Sequence, residues 1–366
     1  MSSEILMRSA SGQKRWQKPL LTGLAALALV SSAANAAEGN RDTFILTSTN
    51  LASGNSVAVF KLVTSGTPSL SLVNLLPTGG AGGAAGNAGG LQFSDDRGAV
   101  VNYGSNTVTK LARKGGSIAL DGSISLSKGC VNPLSVALTE DEVLIAGTNC
   151  AEGHFFNSGA LAGTAVSLPD TSAGQIAVGR NWSAVTLKSG SVLNLPLTAR
   201  HSLAGTSSVI TLPAGANNTP FGAAFWGDTL GVVVAHSPNS FAVIDSTGDV
   251  YPVLGPQPAF PSNAPCWLAK GPGNVWYSGN TPGHAVSIFF SDSQGGVFYK
   301  SVPVPGAPTD ITVSEDRNLL AVIYTASDGT GGRIAVFSID SHGDLKAVAT
   351  SDPIGVAGFN GVGISQ

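Results

Sequence analysis

The chain has 366 residues, of which 43% are hydrophobic, 11% are charged and 47 are glycine. Its formal net charge of −3 excludes binding to nucleic acid or to an anionic membrane through bulk positive charge. A composition rich in small and β-branched residues disfavours helices and disorder, and it suits strands joined by tight turns.

Residues 1–36 have the pattern of a secretory signal. Four basic residues precede an apolar stretch at positions 20–30, and residues 34–36 (Ala-Asn-Ala) supply the small side chains that a signal peptidase requires. An apolar stretch of this length is too short to cross a bilayer as a helix, which makes a membrane anchor the weaker alternative. We therefore expect cleavage after residue 36, a single mature domain over residues 37–366 without a membrane span, and a secreted or periplasmic location.

Three short strands are predicted after the leader, at positions 44–48, 57–63 and 70–75. Residues 79–90 come next and consist almost entirely of glycine and alanine, with one asparagine. This composition predicts a flexible loop between the first structural unit and the second.

The rest of the chain repeats one unit six times, with starts 41 to 46 residues apart. Each unit has a first strand of small residues, a turn with acidic residues or glycine, a more apolar second strand and two further strands. A period of about 40–50 residues built from short strands is typical of a β-propeller. The six starts are Gly90, Pro133, Gly174, Pro220, Pro265 and Pro308.

The two ends of the chain complement each other. The N-terminal stretch holds only three strands, and residues 359–365 resemble the opening of a unit that then stops. We predict an all-β, seven-bladed β-propeller in which the C-terminal strand joins the N-terminal blade and closes the ring, because closure removes two sheet edges at once. A count of six or eight blades is the alternative, and a β-sandwich is disfavoured because sandwiches do not repeat at this period.

The spacing of two cysteines predicts a disulfide. Cys130 lies just before the first strand of its unit and Cys150 just after the second, and the turn between those strands centres near Glu140. The two cysteines therefore face each other, and directly opposed residues of an antiparallel pair have Cα atoms about 4.5–5.5 Å apart, which suits a disulfide. Two free thiols are the alternative, disfavoured in an oxidising compartment.

Cys266 is left without a partner. A buried small hydrophobic side chain is the favoured interpretation, and a nucleophile near the channel is the alternative. We expect no cofactor and no metal site, because no pair of histidines has the spacing of zinc ligands. A hard cation held in the channel by carbonyl oxygens and Asp310 stays open as an alternative, without a sequence signature.

The repeated strand and turn pattern resembles that of the lactonase-type seven-bladed β-propeller family, which includes 6-phosphogluconolactonase-like and YVTN-like repeat proteins. The resemblance extends over essentially the whole mature chain. It implies a propeller fold and hydrolysis of a small, sugar-type lactone. The matching segments are residues 91–98, 103–109, 262–269, 276–281, 286–289 and 334–340.

The predicted site lies around the channel mouth, where the loops entering the first strand and those joining the second strand to the third share one face. A lactonase needs an activated water, a polarised carbonyl and a stabilised oxyanion. His284 or His236 would act as the base and Asp310, which opens an inner strand, would orient it. The residues expected to bind substrate at the mouth are Asn132, Glu152, His154, Asn280 and Asn360.

Two functions remain in competition at the level of sequence. One is an exported lactonase-like hydrolase acting on a small lactone at the channel mouth. The other is a non-catalytic propeller, expected to be a monomer, that binds a ligand or a protein partner in the periplasm or at the cell surface. An acid–base pair in the central funnel would favour the enzyme, and an apolar or aromatic patch there would favour the binding protein.

Overall fold

The computed structural model describes residues 41–212, 219–235, 241–252, 264–292, 295–356 and 358–366. The predicted signal and His236 lie outside these residues. Between Asp42 and Gln366 the described chain forms twenty-eight strands and one turn of 3₁₀ helix at Tyr103–Ser105. No helix in this described part is long and apolar enough to span a membrane.

Each blade is a sheet of four antiparallel strands. Blade 1 contains β1 (Thr43–Ser48), β2 (Ser56–Val63), β3 (Ser69–Pro77) and, from the other end of the chain, β28 (Asn360–Ser365). Blades 2 to 4 follow in chain order as β4 (Leu91–Ser94), β5 (Arg97–Asn102), β6 (Thr107–Lys114), β7 (Ser117–Ser125), β8 (Ser135–Leu138), β9 (Glu142–Ala146), β10 (Cys150–Phe155), β11 (Leu161–Ser167), β12 (Ala173–Val178), β13 (Trp182–Leu187), β14 (Ser191–Pro196) and β15 (Ser208–Thr211).

Blades 5 to 7 complete the ring. Their strands are β16 (Thr219–Trp226), β17 (Thr229–Ala235), β18 (Phe241–Ile244), β19 (Val250–Pro252), β20 (Pro265–Lys270), β21 (Val275–Asn280), β22 (Ala285–Asp292), β23 (Gly295–Pro303), β24 (Gly306–Val313), β25 (Leu319–Ala326), β26 (Gly332–Ile339) and β27 (Leu345–Thr350). The innermost strands contact one another in the cyclic order β28, β4, β8, β12, β16, β20, β24 and back to β28. The prediction of seven blades is confirmed.

The ring closes by pairing of the chain's two ends. In the β1–β28 ladder Ile45 lies opposite Ile364 and Thr47 opposite Val362. The Thr47 hydroxyl also donates to the carbonyl of Gly361 over 2.7 Å. All six residues of β28 are buried, so the closure predicted from the two chain ends is confirmed.

The apolar core is divided among the seven contacts between neighbouring blades. Ile45 and Ile364 of blade 1, for example, pack with Ile323 and Ile334 of blade 7. Equivalent clusters fill each of the other contacts. Because each sheet is apolar on both faces, no blade can bury its own core without its two neighbours.

The predicted disulfide joins Cys130 to Cys150, with Cα atoms 5.5 Å apart. Cys130 lies in the loop before β8, and Cys150 is the first residue of β10. The bridge therefore ties the connection that enters blade 3 to the start of its third strand. Among the described cysteines, Cys266 is free and half-buried.

Removing β28 tests the closure. We expect deletion of residues 360–366 to abolish cooperative thermal unfolding, because blade 1 loses its innermost strand and blades 1 and 7 expose their shared core. Circular dichroism during heating measures this. Deletion of Gln366 alone is the control, and a truncated chain that melts like the full one would show that the closing strand is dispensable.

Removing the disulfide tests its contribution to stability. The bridge spans 20 residues, and a loop of that size predicts a loss of about 3 kcal/mol in the free energy of unfolding for the Cys130→Ser, Cys150→Ser variant. Urea unfolding gives this value. Reductant should lower wild-type stability by a similar amount and leave the double variant unchanged, and a Cys266→Ala variant should remain sensitive to reductant.

Candidate functional site

An axial cavity of about 220 Å³ lies inside the ring of innermost strands. Gln175 lines it near the start of β12, and Asp310 near the middle of β24 rather than at its start as predicted. Val178, Phe225 and Lys270 line it just before the first turn of their blades. The cavity therefore runs along the inner strands toward the face that carries the first turns. Its lining residues are Gly89, Leu91, Gln92, Phe93, Ala137, Gln175, Ala177, Val178, Ala223, Ala224, Phe225, Leu268, Ala269, Lys270, Asp310, Ile311, Thr312, Val313 and Val362.

The glycine-rich connection from β3 to β4, residues 78–90, covers the other end of this cavity. We call it the cover segment. Asn87 and Ala88 are 3% and 1% exposed. The Asn87 side chain donates to the carbonyl of Leu134 in blade 3 over 2.6 Å, and the amide of Ala88 donates to Gly174 O in blade 4 over 3.1 Å.

Contacts on the opposite side of the ring complete the cover. The Asn87 and Asn360 side-chain amides donate to each other over 3.1 and 2.9 Å, and the Trp267 indole donates to the carbonyl of Asn87 over 3.3 Å. Because these partners belong to blades 1, 3, 4 and 6, the segment crosses the channel axis. The expectation of a flexible loop is wrong, since the segment's backbone and its asparagine are bonded to blades distant in sequence.

Close packing of the backbone against neighbouring residues explains why this segment contains glycines. A β-carbon at Gly90 would lie 2.0 Å from Asn360 Oδ1. Gly89 has φ +66°, a left-handed conformation that L-residues with side chains rarely adopt. The composition that suggests flexibility in the sequence therefore serves tight packing at the centre of the ring.

Asp310 lies directly beneath the cover segment. Its Oδ2 accepts a hydrogen bond from the amide of Gly89 and its Oδ1 from the amide of Ile311, both over 2.9 Å. The side chain is 5% exposed, and burial raises the pKa of the carboxyl to about 7. Among the described residues no cationic side chain forms an ion pair with it.

Other polar side chains of the inner strands bond to backbone amides as Asp310 does. The Ser135 hydroxyl accepts from the amide of Ile176 over 3.1 Å, and Gln175 Oε1 accepts from the amide of Ala223 over 2.8 Å. The innermost strand of each sheet has a free edge, and buried amides there need acceptors. Ser135 and Gln175 each supply one, and they thereby link β8 to β12 and β12 to β16.

Lys270 is a channel residue that sequence reasoning missed. Its ammonium donates to the carbonyls of Gly271 and Gly273 over 2.8 and 2.6 Å, and it lies 5.0 Å from the centre of the Trp226 ring. Burial, followed by the charge of Arg317, lowers the pKa of Lys270 to about 8. The ammonium is thus held by hydrogen bonds to the first turn of its own blade.

The predicted base does not meet the predicted orienting carboxylate. His284 is exposed in the loop between β21 and β22, and its Nδ1 lies 3.4 Å from the Ser327 hydroxyl. No hydrogen bond of the described residues joins His284 to Asp310. His236, the other candidate base, lies outside the described residues.

Glu152 and His154 do not lie in a loop between the second and third strands of blade 3, as was predicted. Both are within β10, the third strand of blade 3, and they are 0% and 3% exposed. They oppose Ile145 and Val143, which belong to the apolar cluster shared by blades 2 and 3. Blade 3 begins its third strand immediately at Cys150, so the predicted loop is strand and these side chains face a neighbouring blade.

Glu152 and His154 form a buried hydrogen-bonded pair. His154 Nε2 donates to Glu152 Oε1 over 2.8 Å, and Nδ1 lies 2.9 Å from the carbonyl of Gly159, so both ring nitrogens face acceptors. Burial lowers the pKa of His154, but these two hydrogen bonds outweigh it and raise the pKa above its usual value. Burial raises the pKa of Glu152, and hydrogen bonds from His154 and Ser127 reverse that shift.

Glu142 adds a second buried carboxyl that sequence reasoning missed. It lies on β9, accepts a hydrogen bond from the Ser202 hydroxyl of blade 4, and leaves Oε2 without a partner in the described structure. Burial raises its pKa. The Glu-x-His spacing of residues 152 and 154 on a strand would have placed both side chains on one face, but nothing in the sequence connects them to Glu142.

The three predicted asparagines occupy different surroundings. Asn132 enters blade 3 with φ +53°, and its side chain donates to the carbonyl of Tyr103 over 3.2 Å. Asn280 is fully buried at the end of β21 and donates to the Ser287 hydroxyl. Of the three, Asn360 contacts the cover segment.

A shallower cleft of about 340 Å³ lies beside the cover segment on the mouth face. Its walls include Trp267, Phe359 and Asn360. Its asparagine side chains bond to one another or to the cover, as Asn50 does by donating to the carbonyl of Ala84 over 2.7 Å. No group of three or more His, Cys, Asp or Glu side chains among the described residues is arranged to hold a metal ion.

Comparison with known proteins identifies solved structures that have a similar fold. No protein-family model and no curated protein matches the chain. A protein from Lactobacillus plantarum has 16% identity and a TM-score of 0.65, with 89% of this chain and 100% of that chain covered. A candidate 6-phosphogluconolactonase from Bacteroides uniformis has 16% identity and a TM-score of 0.63 over the same shares of the two chains.

A candidate 6-phosphogluconolactonase from Bacteroides fragilis has 14% identity and a TM-score of 0.60, with 84% of this chain and 94% of that chain covered. At such identities the likeness establishes the fold alone, and propellers carry unrelated functions. The chain is therefore a seven-bladed β-propeller with a fold similar to that of these solved structures.

Proposed function

We propose that the protein is an exported propeller that binds a small ligand without catalysing a reaction on it. The observation that carries this proposal is the hydrogen bond from the amide of Gly89 to Asp310. Asp310 is the one acidic side chain among the described residues that line the axial cavity. It is covered by the chain's own backbone on its mouth side, where the sequence predicted the site.

The requirements of lactone hydrolysis support the same conclusion. The reaction needs a base that activates water and a donor that stabilises the oxyanion. Asp310 bonds to two backbone amides, His284 is exposed and bonded elsewhere, and the Lys270 ammonium is held by backbone carbonyls. The described channel therefore lacks a facing acid–base pair.

Export is supported by two independent features. The leader has the basic, apolar and small-residue order of a secretory signal. The Cys130–Cys150 disulfide is of the kind that forms and persists in oxidising compartments.

Lactone hydrolysis is the second candidate function. One observation favours it: the pKa of Asp310, about 7, matches that of a general base working at neutral pH. Solved neighbours of the same fold include candidate 6-phosphogluconolactonases. Hydrolysis at the predicted mouth site would require the cover segment to move away from Asp310.

An acid-release assay separates the two candidates. We expect the mature wild-type protein to release acid from sugar lactones and homoserine lactones no faster than buffer does, as followed in a pH-stat. Asp310→Asn and His284→Ala variants should give the same rates. Turnover by the wild type that is lost in Asp310→Asn would replace the binding function with hydrolysis.

The pH dependence of stability tests the burial of Asp310. An unfolded aspartate titrates near pH 3.9, so between that pH and about 7 the folded protein holds a proton that the unfolded chain lacks. The contribution of Asp310 to the free energy of unfolding is therefore present at low pH. It should fall by about 1.4 kcal/mol for each unit of pH across this window and stay level above it.

Urea unfolding of wild type and Asp310→Asn at several pH values measures this contribution as their difference. The asparagine does not titrate, so the variant should gain stability relative to wild type as the pH rises. The cover segment carries no titratable residue, and Lys270 is the one other such group lining the cavity. A difference that does not change with pH would mean that the carboxyl is solvated.

A further inference from the structure

We propose that the axial cavity binds a small uncharged molecule with several hydroxyl groups, and that this ligand enters from the face of the first turns. This inference rests on the binding function proposed above, and it specifies where the ligand binds and to which chemical class the ligand belongs. Four features of the cavity, as formed by the described residues, support the proposal. They are its volume, the end at which it is open, the side-chain groups in it that form no hydrogen bond, and the charges of its lining residues.

The size and access of the cavity limit the ligand. Pockets for drug-sized molecules usually have volumes of about 300–1,000 Å³, and the axial cavity has about 220 Å³. The cover segment closes its mouth end through Asn87 and Ala88. The cavity continues to Phe225, Lys270 and Val313, which directly precede the first turns, so a ligand would pass between these residues.

Three side chains offer hydrogen-bonding groups in the cavity. Gln92 and Thr312 line it, and no hydrogen bond of the described residues involves either side chain. Gln175 uses its Oε1 for the amide of Ala223 and keeps its NH₂ group unbonded in this part of the chain. These groups come from blades 2, 4 and 7, so they converge on the axis from different directions.

The hydrogen-bonding chemistry of these groups favours a ligand that carries hydroxyl groups. A carboxamide both donates and accepts, a threonine hydroxyl does the same, and the Asp310 oxygens keep further lone pairs. A ligand hydroxyl also donates and accepts, so it can pair with each of them. The remaining wall is largely apolar, with aliphatic residues such as Leu268 and Val362 and the rings of Phe93 and Phe225, and it suits the carbon skeleton of a compact polyol.

Charge excludes an anionic ligand. Asp310 is acidic, and the Lys270 ammonium is occupied by backbone carbonyls and two indole rings. An anion in the cavity would therefore be buried without a free cationic partner, which is costly. A carboxylate or phosphate ligand should bind far more weakly than its neutral counterpart.

The cleft beside the cover segment is a poorer candidate for the same ligand. Its asparagines pair with each other or with the cover backbone, as the Asn87–Asn360 pair does. A ligand there would have to break these bonds, whereas the groups in the axial cavity are free.

Ligand-observed saturation-transfer NMR on the mature protein tests the proposal. The probes are D-glucose, D-xylose and glycerol, with sodium D-gluconate as the charged counterpart of glucose and ethanolamine as a cation. We expect saturation transfer to at least one of the neutral probes and none to gluconate. Titration of the binding probe then gives its Kd.

Two variants locate the site. Gln92→Leu and Thr312→Val each remove one hydrogen-bonding group with little change in size, and each should weaken binding of the neutral probe about tenfold. The control is Thr64→Val, because Thr64 is exposed and outside the cavity; it should leave the Kd unchanged. Thermal melting confirms that each variant is folded.

Three outcomes would overturn the proposal: no neutral probe binds, binding survives both cavity variants, or gluconate or ethanolamine binds as tightly as the neutral probe. Absence of sugar binding together with absence of lactone turnover would remove this ligand class and leave a binding function of another kind. Lactone turnover that depends on Asp310 would instead remove the proposed function itself, so the two failures are distinguishable.

Discussion

The antiparallel pairing of β28 with β1 is the constraint on which the rest of the structure depends. Every blade is apolar on both faces, and each apolar cluster is shared by neighbouring blades. An open row of blades would leave two apolar faces and two sheet edges in water, which are costly and prone to association. The last strand prevents both by seating its buried side chains between blades 1 and 7.

Closure creates a second requirement at the centre of the ring. The innermost strands turn their free edges toward the axis, where buried amides need acceptors. Ser135, Gln175 and Asp310 provide several of these, and the cover segment provides another through the carbonyl of Gly89, which accepts from the amide of Val136. Asp310, the predicted orienting carboxylate, is therefore occupied by backbone amides of the cover segment and of its own strand, which is the physical basis for favouring binding over catalysis.

Residues near in sequence were predicted well, and residues that meet only in the folded ring were not. The disulfide was accessible because Cys130 and Cys150 flank one hairpin, so a short-range register fixes their distance. The cover segment was misjudged because glycine and alanine are locally flexible, while its hydrogen-bond partners lie in blades 1, 2, 3, 4, 6 and 7. Glu152 and His154 were assigned to a loop because the strand of blade 3 starts earlier than in the repeated pattern.

The sequence by itself determined the number of units, the strand that closes the ring and the bridge in blade 3, since periodicity and local register carry that information. Only the tertiary structure decided what surrounds Asp310. Its hydrogen-bond partner Gly89 is 221 residues away, and the two meet because the ring is closed and the cover segment crosses its axis. The burial of Asp310 and its lack of a cationic partner among the described residues follow from this contact. No local pattern in the sequence could predict either of them.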